Sequence, residues 1–228
     1  MVLRGEESGA GPAVLLLHAG GERRQVWRPV AELLVADGFR CVAYDQRGHG
    51  DGGGSVDALA ACADDVAAMV RAEPSGCVIV GASLGGLAAV AALADPAVRA
   101  RVAGLVLVDV VPCLNPDRVR GFLSAGGLLG RFTEIVEDIL TQVPRLEQIT
   151  AELGLPFLLV HGDTGSSLTA EDIDRLTGLA PHAEVRLVPG AGHLIARDHP
   201  IALARSLVEV AAEWSPARSA ITSTWCSK

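Results

Sequence analysis

The chain has 228 residues, half of them apolar and 20% charged, which suits one ordinary domain with a substantial core and excludes a disordered chain. Net charge is −8 and the 19 basic residues are scattered rather than clustered, which argues against nucleic acids and anionic membranes as partners. The five cysteines (Cys41, Cys62, Cys77, Cys113 and Cys226) form no CxxC pair and no metal-ligand spacing with histidine, so buried reduced thiols and no metal site are expected.

At the N-terminus, MVLRGEESGAG has no apolar stretch like that of a signal peptide, and no later apolar run nears the ~18 residues of a membrane span. A soluble cytoplasmic protein acting on a small molecule is the expectation. Val2 to Arg4 offers part of a first strand. Short Val/Leu/Ile-rich runs then alternate with longer helical patterns: strand Ala13 to Leu17, helix Arg24 to Ala36, strand Arg40 to Tyr44, helix Val56 to Arg71. Strand Cys77 to Val80, helix Leu84 to Ala94 and strand Leu105 to Val108 continue the series. Pro112 to Leu155 interrupts it with helical patterns around Arg118 to Leu129 and Thr133 to Leu140. Strand Phe157 to Val160, helix Ala170 to Gly178, strand Val185 to Val188 and helix Ile201 to Trp214 complete it, and a Ser/Thr-rich tail without periodicity runs from Ser215. Such alternation predicts an α/β fold: a doubly wound, mostly parallel sheet with helices on both faces, residues 1–214 as one domain and 112–155 as a short helical lid. Ligands of such sheets bind at the carboxyl ends of the strands.

The strongest local signal is Gly81-Ala82-Ser83-Leu84-Gly85, between the run CVIV and a helix. A serine on so sharp a turn needs small neighbours, and the helix N-terminus beside it offers free amides to a developing oxyanion. Ser83 is the candidate nucleophile. Its candidate base is His193, in the loop Pro189-Gly190-Ala191-Gly192-His193 after the last strand, on the same sheet edge. His18, His49 and His161 read as loop-orienting groups, and His182 and His199 as surface residues.

His18-Ala19-Gly20-Gly21, Tyr44-Asp45-Gln46-Arg47-Gly48-His49-Gly50, the GASLGG turn and GAGH together resemble the α/β-hydrolase superfamily, in particular its lipase, esterase and cofactor-free haloperoxidase-like branch. The resemblance spans roughly Gly11 to Trp214. It implies an oxyanion hole from the backbone N–H groups of Gly20 and Leu84, and it places Trp27 where relatives pack a tryptophan into the core. It also implies a further pair of N-terminal strands, which here are reduced. Where relatives carry the triad acid, this chain has Gly165 and Ser166. Asp109, at the end of LVLVD, is the preferred replacement, because some dehalogenase-like members place their acid after that strand. Asp163 is the alternative.

The lid is shorter than is common in this superfamily, which predicts an open or shallow pocket with Leu114, Phe122, Leu123, Leu128, Leu129 and Phe132 as candidate lining. Arg118, Arg120 and Arg131 read as solvated surface, with attraction of an anionic substrate as the other role open to them. The implied reaction is hydrolysis of a small carboxylic ester, thioester or lactone through an acyl-enzyme on Ser83, with no metal or organic cofactor. Carbon–carbon hydrolysis, perhydrolysis or cyclisation on the same residues, and ligand binding without catalysis, stand as alternatives.

Overall fold

Unbroken runs such as Ala13 to Leu17 leave a strand no polar face to turn to water, so both its faces must be covered. The computed structural model describes residues 3–215. Strands β1 (Arg4–Gly9), β2 (Ala13–Leu17), β3 (Arg40–Asp45), β4 (Cys77–Ala82), β5 (Val102–Val108), β6 (Phe157–Gly162) and β7 (Glu184–Val188) form one seven-stranded sheet in the order β1-β3-β2-β4-β5-β6-β7. β1 pairs antiparallel with β3, and the other pairings are parallel. From β2 the chain crosses to β3 on one side and then to β4 on the other, so the direction of winding reverses between β2 and β4.

The helices are α1 (Arg28–Ala36), led in by a 3₁₀ turn over Arg24–Trp27, then α2 (Leu59–Ala72), α3 (Leu84–Ala92), α4 (Pro96–Arg99), α5 (Pro116–Ala125), α6 (Leu129–Ala151), α7 (Ala170–Leu179), α8 (Ile195–Asp198) and α9 (Pro200–Trp214). The two-residue period of β2 divides the core. Val14 and Leu16 join Val30 and Leu34 of α1 and Leu203 and Leu207 of α9, while Leu15 and Leu17 join Val66 and Val70 of α2. Trp27 is fully buried in the first of these layers. A side-chain carbon at Gly104 of β5 would overlap the Trp214 ring, so this glycine seats the end of α9 on the sheet.

Both ends of the domain differ from the sequence expectation. The first strand lies at Arg4–Gly9 rather than Val2 to Arg4. All six of its residues are exposed, so an edge strand held by backbone pairing to β3 shows no apolar pattern. Val2 lies outside the described residues. At the other end Ser215, expected to begin the tail, is buried and its N–H donates to Ala211 O at 3.2 Å; residues 216–228 lie outside the described residues.

The insertion between β5 and β6 consists of α5 and α6. α6 runs through Pro144 for 23 residues, with a break in helical geometry at Phe132 (φ −118°, ψ 18°). α5 buries none of its residues in the core. Cys41, Cys62, Cys77 and Cys113 are free and buried, and burial pushes their thiols up to about 11 or 12; Cys226 lies outside the described residues. No helix among the described residues is long and apolar enough to cross a membrane.

Candidate active site

β4 and β5 end in register, Ala82 opposite Val108, and β5 and β6 likewise pair Val108 with Val160. The next residues, Ser83 and Asp109, extend that ladder: Ser83 N–H donates to Val108 O at 3.2 Å and Asp109 N–H to Val160 O at 2.8 Å. Both then turn sharply with positive φ, 47° at Ser83 and 49° at Asp109. Crowding dictates the neighbours of Ser83. A side-chain carbon at Gly81 would stand 2.6 Å from the Gly86 backbone, and one at Gly85 would stand 2.7 Å from Leu17 O.

His193 follows β7 in its glycine-rich loop, 15% exposed at the side chain, and its Nδ1 lies 2.9 Å from Asp109 Oδ2. The fully buried Asp109 carboxylate also accepts from Gly162 N–H at 3.0 Å, Ser166 Oγ at 2.7 Å and Ser167 N–H at 3.3 Å. Burial alone would push this carboxyl up. The hydrogen bonds from His193, Gly162 and Ser166 outweigh it and hold the group below the usual carboxylate range. With Nδ1 turned to Asp109, Nε2 is the ring nitrogen left to take a proton, and His193 and Ser83 line one cavity.

Asp163 is exposed and engaged elsewhere: its Oδ1 accepts from Gly190 N–H at 2.7 Å and Thr164 Oγ at 3.1 Å. With Thr164 N–H bonded to Ala191 O at 3.0 Å, it ties the β6 loop to the loop carrying His193. Ser166 and Ser167 were not foreseen from the sequence. Ser167 Oγ also lies 3.3 Å from His193 Nδ1. Two serines in a loop carry no signal by themselves; only their position, where a carboxylate was expected, draws notice.

Gly20 and Leu84 face each other at the cavity rim, since a side-chain carbon at Gly20 would lie 3.9 Å from Leu84 Cβ. Leu84 opens α3, so its N–H has no acceptor within the helix. The loop bearing Gly20 is braced by buried His18, whose Nδ1 donates to Ala19 O at 2.8 Å while Nε2 accepts Gln46 N–H at 3.1 Å. Burial lowers the His18 pKa to about 4, so the ring is neutral near pH 7. His49 is also lowered, first by burial, and stacks on Phe132 with ring centroids 5.6 Å apart.

The cavity measures about 450 Å³. Of the foreseen lining, Leu114, Phe122, Leu123, Leu128 and Phe132 border it, and the Leu129 side chain lies outside the described residues. The Phe122 ring meets His193 edge-on at 4.9 Å. Beyond the foreseen residues, the lining takes in the buried Leu87 of α3, Val110 after β5 and Ile139 of α6. Arg118 of α5 reaches Asp172, the residue that boxes the N-terminus of α7, and also bonds Thr169 Oγ at 2.9 Å. Arg120 pairs with Glu137 through two bonds, and Arg131 stands over the Phe132 ring. Among the described residues no group of three His, Cys, Asp or Glu side chains is arranged to hold a metal ion.

A family model described as the alpha/beta hydrolase fold matches residues 12–126, half of the chain. The chain belongs to the α/β-hydrolase family. The matched stretch of this α/β hydrolase begins just before β2 and takes in the Ser83 turn and Asp109. Among curated relatives, "Putative carbamate hydrolase RutD" of Variovorax paradoxus is 40% identical over 124 residues, 52% of this chain and 46% of that protein. The chain thus spans about half of that relative. The 2-(acetamidomethylene)succinate hydrolase of Mesorhizobium japonicum is 25% identical over 86% of both chains. Among solved structures, the monoacylglycerol lipase of Paleococcus ferrophilus superposes with a TM-score of 0.76 over 94% of this chain and all of that one, at 20% identity, a likeness of fold.

Proposed function

We propose that the protein is a serine hydrolase of small carboxylic esters, with thioesters and lactones within its reach. The observation that carries this reading is the 2.9 Å contact of His193 Nδ1 with Asp109 Oδ2 in a cavity also lined by Ser83 on its strained turn. Relatives named as hydrolases support the reaction class.

Ser83 Oγ adds to the ester carbonyl carbon as its proton passes to His193 Nε2, and the carbonyl π pair moves to oxygen. The oxyanion accepts hydrogen bonds from the N–H groups of Gly20 and Leu84. When that pair returns, the carbon–oxygen bond to the alcohol breaks, and the alcohol leaves with the proton from His193. Water then adds to the acyl-enzyme, giving its proton to His193, and the acid departs as Ser83 recovers its hydrogen. Asp109 holds the imidazole in its Nδ1–H tautomer and stabilises imidazolium.

The test is intact-mass labelling with a fluorophosphonate. One adduct per wild-type chain, lost in Ser83→Ala and slowed in Asp109→Asn, is the expected result. Folded wild-type protein that stays unlabelled would overturn the reading.

A further inference from the structure

The structure assigns a substrate class to this site: we propose that the acyl group is an uncharged aliphatic chain of intermediate length. The inference rests on the ester-hydrolase reading and adds what the cavity selects.

Wall chemistry carries the first step. Leu87, Val110, Ile135, Val136 and Ile139 of the lining are apolar and each at most 6% exposed, and the one comparably buried charge in the lining is Asp172. Val119, Phe122 and Leu123 add an apolar face from α5, a helix that buries none of its residues in the core. A substrate methylene placed here leaves water without desolvating any polar group of the wall.

Charge carries the second. Two cations line the cavity, and each has an acidic partner in the same lining: Arg118 with Asp172 and Arg197 with Asp198. The lining is therefore balanced. A substrate carboxylate approaching Arg118 meets a guanidinium whose charge is already matched by Asp172, 5% exposed at its side chain, and would stand beside that buried negative charge. Arg197, 57% exposed, already holds Asp198 through two hydrogen bonds.

Volume carries the third. At about 30 Å³ per non-hydrogen atom, 450 Å³ holds roughly fifteen atoms. An octanoyl group with the first atoms of its alcohol fits that space. A palmitoyl group exceeds it on its own.

The experiment is kcat/KM of the full chain on the p-nitrophenyl esters of acetate, butyrate, hexanoate, octanoate and palmitate, with the hemisuccinate as the charged match for butyrate. We expect a rise of roughly threefold to fourfold per methylene up to hexanoate or octanoate. Palmitate should fall at least about tenfold below the maximum, and hemisuccinate about tenfold or more below butyrate. Val119→Trp, on the α5 face that lines the cavity, should move the maximum toward shorter chains. Labelling rates with methyl, hexyl and hexadecyl p-nitrophenyl phosphonates repeat the comparison without deacylation. A maximum at acetate, equal rates across the series, or hemisuccinate matching butyrate would overturn the substrate class while Ser83 labelling stands. Loss of that labelling would instead strike the hydrolase reading.

Discussion

Ser83 and Asp109 occupy matching places on neighbouring strands, each one residue past the paired ends Ala82 and Val108, and each with positive φ. They are the two non-glycine residues with that conformation among the described residues. The main-chain bonds to Val108 O and Val160 O fix where the chain turns, and the turns bring Ser83 to the cavity and Asp109 to His193. A side chain in such a conformation costs about 1–3 kcal/mol, which the packed sheet edge must offset. Ser83→Gly removes the β-carbon that makes the turn unfavourable. It is expected to raise stability by about 1 kcal/mol in urea unfolding while abolishing fluorophosphonate labelling. A lowered urea midpoint would show that the turn carries no strain of that kind.

The two aspartates first considered for the triad have separate partners, and this separates their variants. Asp109→Asn withdraws the carboxylate from Nδ1 and leaves an amide beside the imidazole. The expected loss in kcat is about 10³–10⁴, with KM little changed. Asp163→Asn weakens the tie to Gly190 N–H and leaves the His193–Asp109 contact in place. Its cost should stay within about tenfold in kcat, with a stability loss of about 1 kcal/mol. Steady-state kinetics of both variants on one ester decide the matter, and a larger loss in Asp163→Asn would reverse the roles.

His18 makes the fold sensitive to mild acid. Its pKa falls from 6.5 when free to about 4 in the folded protein, mainly through burial. Between those values the unfolded chain binds the proton and the folded chain does not, so stability drops as pH falls from about 6.5 toward about 4. The full contribution is on the order of 3 kcal/mol. His49 is shifted in the same direction. Urea midpoints across this range should fall for wild type and fall less for His18→Asn, already weaker near neutrality through loss of its braces to Ala19 and Gln46. Parallel pH profiles for the two proteins would remove His18 as the cause.

The parts of the fold that bury apolar surface were legible, because a core strand must be apolar throughout: the runs beginning at Ala13, Cys77 and Phe157 are strands from those residues. β1 was not, since RGEESG pairs by backbone alone and its side chains meet water. α6 was foreseen only over Thr133 to Leu140, whereas the helix continues through Pro144 to Ala151. At the site, glycine spacing around Ser83 and His193 reflects backbone crowding and can be read from sequence. Which carboxylate meets His193 depends instead on how the loop from Asp163 to Ser167 folds over β6, and no local pattern encodes that path.

Ser166 offers the last test, because its hydroxyl bonds the side of Asp109 opposite the histidine contact, Oδ1 rather than Oδ2. A hydrogen bond to a buried carboxylate contributes about 1.5–3 kcal/mol, so Ser166→Ala should destabilise the protein by roughly that amount near neutral pH. Asp109 has its folded pKa held below the unfolded value of 3.8, so its stabilising contribution is present above that value and is lost as pH falls through the folded pKa. The gap between wild type and Ser166→Ala should therefore narrow in acid, as the carboxylate that receives the bond is protonated. Urea unfolding of both proteins over a falling pH series, from about pH 7 to below the point where folded Asp109 takes its proton, measures this directly. A gap that keeps its size in acid would mean that Ser166 acts through loop packing rather than through the Asp109 charge.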